Sequence, residues 1–141
     1  MGTDDDSDGF GAALARAQAA VAALSRDYLN WARADLDQCR QHLAAAQAAP
    51  NRSSAHIEAL FGVAHNIKGQ GTSFGYPLMT QLGQSLCQLT RLPQPFDAVK
   101  LGLVAAHLEV MAAVLDQEAR DDGTPVLQAQ AAALERAVAA L

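Results

Sequence analysis

The segment from Gly62 to Gly71 combines side chains that can do chemistry with residues that are unfavourable in a helix. His65 is followed three positions later by Lys68. Residues three or four apart share one side of an α-helix, so the imidazole and the ammonium are expected near each other. A neutral imidazole is a competent nucleophile near pH 7, and an ammonium can neutralise charge on a phosphoryl group. His65 is therefore a candidate nucleophile, and Lys68 could neutralise charge on a phosphoryl group that it carries.

Three glycines in this segment point to a steric requirement. Each glycine inside a helix costs roughly 1 kcal/mol relative to alanine, and thirty-one of the 141 residues are alanine. Helical periodicity places His65 on the outward side, with Gly62 and Gly69 about one turn before and after it. We expect these two glycines to give a large partner access to the imidazole, and Gly71 to let a neighbouring helix approach. The core-facing side is predicted to carry Ile57, Leu60, Ala64, Ile67 and Gly71.

The rest of the chain predicts a helical scaffold. Alanine is abundant, whereas only eight valines and two isoleucines favour strands. We predict an all-α fold, an antiparallel up-and-down four-helix bundle with additional N- and C-terminal helices. A disordered acidic tail is expected over residues 1–9, and one domain over 10–141 with its core bundle at about 26–119. Helices are predicted at about 10–24, 26–48, 54–73, 77–91, 96–119 and 125–141, with a break near Ser25.

Charge and cysteine content narrow the class of protein. With a net charge of −5, the sequence shows no excess of positive charge that would bind nucleic acid or an anionic membrane. The sequence shows neither a signal peptide nor an apolar run of the length that spans a bilayer. Cys39 and Cys87 stand 48 residues apart and form no disulfide framework, which favours a reduced, cytoplasmic protein. We expect it to be a monomer.

The residues around His65 match a known pattern. Together they resemble the histidine-containing phosphotransfer (Hpt) domain of bacterial two-component phosphorelays, particularly the version in chemotaxis-type histidine kinases. The resemblance covers about residues 26–119. The matching positions are His65, Ile67, Lys68, Gly69, Gly71, Phe74 and Gly75.

The resemblance implies a phosphocarrier and not an enzyme. His65 would accept a phosphoryl group from a receiver-domain aspartate or a kinase, and would pass it to another receiver. The partners implied are response-regulator receiver domains and a histidine kinase. No cofactor, metal or nucleotide site is implied for this chain, because Mg²⁺ comes with the receiver.

The sequence departs from the family where a Gln or Glu on the following helix often hydrogen-bonds the histidine. That position falls at Cys87 by simple register, and Gln84 or Gln88 are the candidates to replace it. The candidates for the surface that docks the receiver are Val63, Gly69, Thr72 and Met79.

Other interpretations stay open beside this one. His65 taken alone is a solvated helix histidine, and Cys39 with His42 has the spacing of two metal ligands, although an amphipathic core edge is favoured. The module could bind receivers without relaying phosphate. It could also be the separated phosphoacceptor domain of a larger histidine kinase.

Overall fold

Five α-helices account for most of residues 2–141, the part of the chain whose backbone the computed structural model describes; side chains are described from residue 9. These described residues contain no strand, so the all-α prediction is confirmed. The tail predicted over residues 1–9 falls mostly on residues whose side chains lie outside this description and stays a prediction. The helices are α1 (Gly2–Ala48), α2 (Ser54–Gly71), α3 (Pro77–Thr90), α4 (Ala98–Asp116) and α5 (Pro125–Ala139).

The first helix is uninterrupted, so the break predicted near Ser25 is wrong. Its 47 residues give a length of about 70 Å. Between Gly11 and Pro50 the sequence contains neither glycine nor proline, and nothing local ends the helix. Its length exceeds the bundle because only the part from Tyr28 onward packs into the core. Residues 10–27, here called the α1 extension, are all exposed or half-exposed.

The second half of α1 forms a four-helix bundle with α2, α3 and α4. Each helix packs against the next, α1 also packs against α4, and α5 covers α3 and α4. Connections of five to seven residues between the first four helices require each helix to reverse direction. By length and composition alone α4 could cross a membrane, with a mean hydropathy of 1.8. Its apolar side chains cover two sides of the helix because α4 lies between α5 and the other bundle helices.

Helix ends follow the local signals in the sequence. Gly75 adopts the left-handed conformation with φ 87°, which suits glycine, and Pro77 starts α3. The Thr124 side chain caps α5 by accepting a hydrogen bond from the backbone N–H of Leu127 at 3.2 Å, and Pro125 occupies the first turn.

Stacked aromatic rings fasten the α2–α3 turn to α1. The Tyr28 ring stacks on Phe74 and Tyr76, with centroid distances of 4.9 and 5.2 Å. Trp31, three residues further along α1, is 48% exposed and meets Phe74 only edge-on at 6.0 Å. It lies outside the core because the bundle-facing side of α1 passes through Tyr28 and Ala32 instead.

Two glycines bring α2 and α3 into close contact. A Cβ added at Gly71 would lie 2.6 Å from the Thr80 hydroxyl, and one at Gly83 would lie 2.7 Å from the backbone nitrogen of Lys68. The close approach predicted at Gly71 is therefore confirmed. Thr80 adds a hydrogen-bonded bridge, because its hydroxyl accepts from the Thr72 N–H at 2.8 Å and donates to the Lys68 carbonyl at 3.0 Å. The backbone at Lys68 is thereby held against α3.

Candidate functional site

His65 lies on the outward side of α2, as periodicity predicted. Its side chain is exposed, whereas the side of α2 that packs into the core is buried. The apolar side chains hold α2 in place, so the imidazole is presented by a rigid helix. All five residues predicted to face the core are buried: Ile57, Leu60, Ala64, Ile67 and Gly71.

The imidazole borders a cavity of about 250 Å³ between α2 and α3. Lys68 lines the same cavity, so the two side chains lie on the same side of α2. The complete lining is Phe61, His65 and Lys68 of α2 with Gln84, Cys87 and Gln88 of α3 and Arg91, the residue directly after α3. None of these described lining residues is acidic, although the chain carries a net charge of −5. A small cavity with two cations and no carboxylate is suited to an anion.

Arg91 is a site residue that the sequence analysis missed. Its guanidinium carbon lies 4.5 Å from the centre of the Phe61 ring, and that ring lies 6.2 Å from the His65 ring. A guanidinium over an aromatic face is held by cation–π attraction while its N–H groups stay free to bind an anion. The signal was present in the spacing, because Gln84, Cys87 or Gln88, and Arg91 recur every three or four residues along α3.

The three α3 residues considered for orienting His65 all line the cavity, and Cys87 is buried where the register put it. Among the described residues, no hydrogen bond joins His65 to Gln84, Cys87 or Gln88. The Gln84 side-chain oxygen is buried and has no hydrogen-bond partner. Burial raises the pKa of the Cys87 thiol, while the positive charges of Lys68 and Arg91 act in the opposite direction. Gln84 is therefore the acceptor best placed to gain a partner when the site is filled.

The glycines beside His65 leave open space. A Cβ added at Gly62 or Gly69 would have no atom of this chain within 4 Å, apart from the helix backbone and chain neighbours. Both glycines are exposed. Their lack of side chains is therefore not explained by packing within this chain.

The residues predicted to contact a partner differ in how exposed they are. Thr72 is exposed, with its hydroxyl 3.0 Å from that of Thr80, and Val63 is half-buried against the core. Met79 is fully buried, so its prediction as a docking residue is wrong. The α3 side that carries Met79 faces the bundle interior together with Leu82 and Leu86.

Comparison with known proteins gave one positive result. A family model described as the Hpt domain matches residues 23–141. No curated protein and no solved structure matches the chain.

Proposed function

We propose, from the premise that this chain belongs to the Hpt domain family, that His65 carries the phosphoryl group in a two-component phosphorelay. The family assignment makes the chain a histidine phosphotransfer module. The observation that supports His65 as the acceptor is its exposed imidazole beside a cationic cavity, flanked by two glycines with open space around them. The donor would be a receiver-domain aspartyl phosphate or a kinase, and the next acceptor a second receiver.

The transfer would proceed by in-line displacement at phosphorus. A ring nitrogen of neutral His65 attacks the aspartyl phosphate, the new N–P bond forms, and the P–O bond to the departing carboxylate breaks. The second ring nitrogen keeps its proton during this step, so the phosphorylated ring still has an N–H to donate to a hydrogen-bond acceptor. Reversal of these steps on a second receiver returns the chain to its starting state.

The cavity residues would stabilise the transferred group and hold the ring. Lys68 and Arg91 offer positive charge where the phosphoryl oxygens gather negative charge. The buried, unpartnered oxygen of Gln84 can accept the N–H of the ring nitrogen that is not phosphorylated, once the ring turns toward it. Gly62 and Gly69 have no side chains, so they leave room beside His65 for a receiver to reach the imidazole.

The proposal assigns this chain the role of a carrier without a cofactor of its own. Mg²⁺ would be supplied by the receiver, and the nucleotide by a separate kinase domain. We place the reaction in the cytoplasm, where receivers and kinase domains meet. Incubation with ATP alone should therefore leave the protein unlabelled, and a label would contradict this part of the proposal.

The test is transfer from a phosphorylated receiver, with each receiver of the source organism tried in turn. We expect an acid-labile, base-stable phosphate on the wild-type chain and none on His65→Gln. His56→Gln, which changes a half-buried histidine in the first turns of α2, is the matched control and should still accept the label.

Persistent labelling of His65→Gln would contradict the assignment, as would the failure of every receiver to label the wild type. Receiver binding without transfer would support the alternative of a regulatory module that no longer relays phosphate. Two observations support that alternative. Position 87 is Cys where the family often has Gln or Glu, and among the described residues no hydrogen bond joins α3 to His65.

A further inference from the structure

The α1 extension carries an apolar stripe that is exposed up to Leu24 and reaches the bundle at Tyr28 and Trp31, which contact Phe74. Its members recur at alternating intervals of four and three residues, which is the heptad spacing of a coiled-coil seam. Tyr28, at the bundle end, is buried in the core, and the stripe therefore continues the side of α1 that packs in the bundle. The stripe consists of Phe10, Leu14, Ala17, Val21, Leu24, Tyr28 and Trp31.

The exposure of this stripe is large for a single chain. Phe10 is 72% exposed, Val21 58%, and Leu14, Leu24 and Trp31 each about half. At about 150–250 Å² for an aromatic side chain and less for leucine or valine, these fractions amount to roughly 500 Å². Contiguous apolar patches of that order mark interaction sites on soluble proteins. Two such faces together bury roughly 1,000 Å², which reaches the lower limit for a specific interface.

The residues flanking the stripe favour an identical face as the partner. One flank carries Gly11, Gln18 and Ser25, and the other carries Ala13, Ala20 and Asp27. Only one of these six flanking residues is charged, so the flanks themselves offer little to a strongly charged partner, although Arg26, Glu118 and Arg120 line a groove beside Ala17 and Val21. When two copies pair along this stripe, few like charges on the two sets of flanking residues face each other. The small flanking side chains allow two helices to approach closely.

The extension also lies largely outside the phosphotransfer module. The family match begins at residue 23, so most of the stripe precedes it. His65 lies on the outward side of α2, beside a cavity lined only by α2 and α3. A surface on the extension can therefore be occupied without covering the phosphorylation site.

We propose that the α1 extensions of two copies of this chain pair along this stripe and form a two-fold symmetric dimer. The sequence alone led us to expect a monomer, and the exposed stripe is the observation that changes this expectation. The interface is isologous, because the same side chains from both copies meet across the axis.

Sedimentation equilibrium of the full chain at about 1–100 µM tests this directly. We expect the wild type to approach twice the 14.8 kDa chain mass within this range. The double variant Leu14→Glu with Val21→Glu places unpaired charges in the seam, and should raise the dissociation constant by at least roughly 100-fold. The matched control is Ala12→Glu with Ala19→Glu, which adds the same charge on the opposite, exposed side of the extension.

The control variant should sediment like the wild type. A wild-type chain that stays monomeric up to the highest concentration would overturn the proposal, and so would a seam variant that dimerises as well as the control. Labelling of His65 by a phosphorylated receiver should proceed in all three proteins. A failed dimer with intact labelling would thus be separable from a failure of the proposed phosphotransfer.

Discussion

At the scale of single residues, the site carries positive charge although the whole chain has a negative net charge. Lys68 and Arg91 line the cavity beside His65, while the chain as a whole carries five more acidic than basic residues. Lys68 is one of only two lysines in the chain. A local excess of positive charge of this kind attracts anionic groups to the side of the bundle that carries the imidazole.

Arg91→Ala should slow transfer to His65 by about tenfold, because a charge-assisted hydrogen bond to the phosphoryl group is lost. Rapid-quench measurement with a cognate phosphorylated receiver gives the rate. The control is Arg136→Ala on the exposed surface of α5, which should transfer at the wild-type rate. Equal rates for both variants would show that Arg91 does not act on the phosphoryl group.

Gly69→Gln should leave the fold intact and slow transfer at least about tenfold, because the new side chain occupies space that a receiver needs. No atom of this chain obstructs a Cβ there. Gly102→Gln is the matched control, since Gly102 is also exposed in a helix and unobstructed but lies on α4. Normal transfer by Gly69→Gln would show that a receiver does not need the open space at this position. Slowing in both variants would indicate that any added glutamine on the surface slows transfer, wherever it lies.

His107 adds a pH dependence to stability. It is fully buried, its Nδ1 lies 2.7 Å from the Leu103 carbonyl, and its Nε2 lies 2.8 Å from the Ser85 hydroxyl. In the tautomer that these contacts require, Nδ1–H donates to the carbonyl and Nε2 accepts from the hydroxyl. Burial lowers the pKa of this imidazole below its ordinary value of 6.5, because the charged form is poorly solvated.

Below pH 6.5 the unfolded chain therefore binds a proton at position 107 more readily than the folded chain does, and the free energy of unfolding should fall as the pH drops. His107→Gln should show a shallower fall between pH 7 and 5. Urea titrations at several pH values measure this, and the other three histidines are common to both proteins. Parallel curves for wild type and variant would contradict the prediction.

At the scale of elements, the contact between α2 and α3 forms the site. Gly83 lets α3 approach the Lys68 backbone, and Thr80 binds the Lys68 carbonyl, so both helices hold the site residues in register. Their packing brings three residues of α3, and Arg91 directly after it, to the cavity beside His65. The site therefore depends on the distance between two helices as well as on its own side chains.

Gly83→Ala should lower the free energy of unfolding by about 1–3 kcal/mol, because the new methyl group meets backbone atoms that cannot move away cheaply. Gly102→Ala, at an unobstructed exposed helix position, should instead raise it by up to about 1 kcal/mol. Chemical denaturation of both variants measures the contrast. A Gly83→Ala protein as stable as Gly102→Ala would mean that the helices are not in close contact there.

Sequence periodicity predicted the features that depend on one helix and only part of those that depend on two. The buried side of α2 and the outward position of His65 follow from 3.6 residues per turn, and both are confirmed. Arg91 and Met79 were misjudged because the side of α3 that faces α2 is set by the crossing of the two helices. The break near Ser25 was predicted from the expected height of a bundle, whereas the local sequence has nothing that ends a helix.

At the scale of the whole molecule, the fold combines a bundle that carries the site with a helix that extends past it. The bundle residues fall within the family match, and the extension mostly precedes it. Substitutions in the stripe should therefore change association without changing the chemistry at His65. This separation lets the two proposals be tested on the same set of proteins.

If the extensions pair, the unfolding midpoint of the wild type should rise with protein concentration by about 2 °C per tenfold above the dissociation constant, because dilution favours dissociated, unfolded chains. The double variant Leu14→Glu with Val21→Glu should show a constant midpoint. Thermal scans at matched heating rates measure both. A midpoint independent of concentration in the wild type would argue against a dimer that contributes to stability.

Because α1 is continuous, it also fixes the rotation of the bundle about the helix axis relative to the apolar stripe. No break separates Leu24, in the stripe, from Tyr28, in the core, so the direction in which the bundle faces is set by the number of residues between them. One inserted residue would turn the bundle by about 100° around the helix axis while moving it only about 1.5 Å. In a two-fold symmetric dimer this rotation decides whether both His65 side chains face open solvent or both face the neighbouring bundle. The length of this short stretch therefore determines whether a dimer can serve two receivers at once or none.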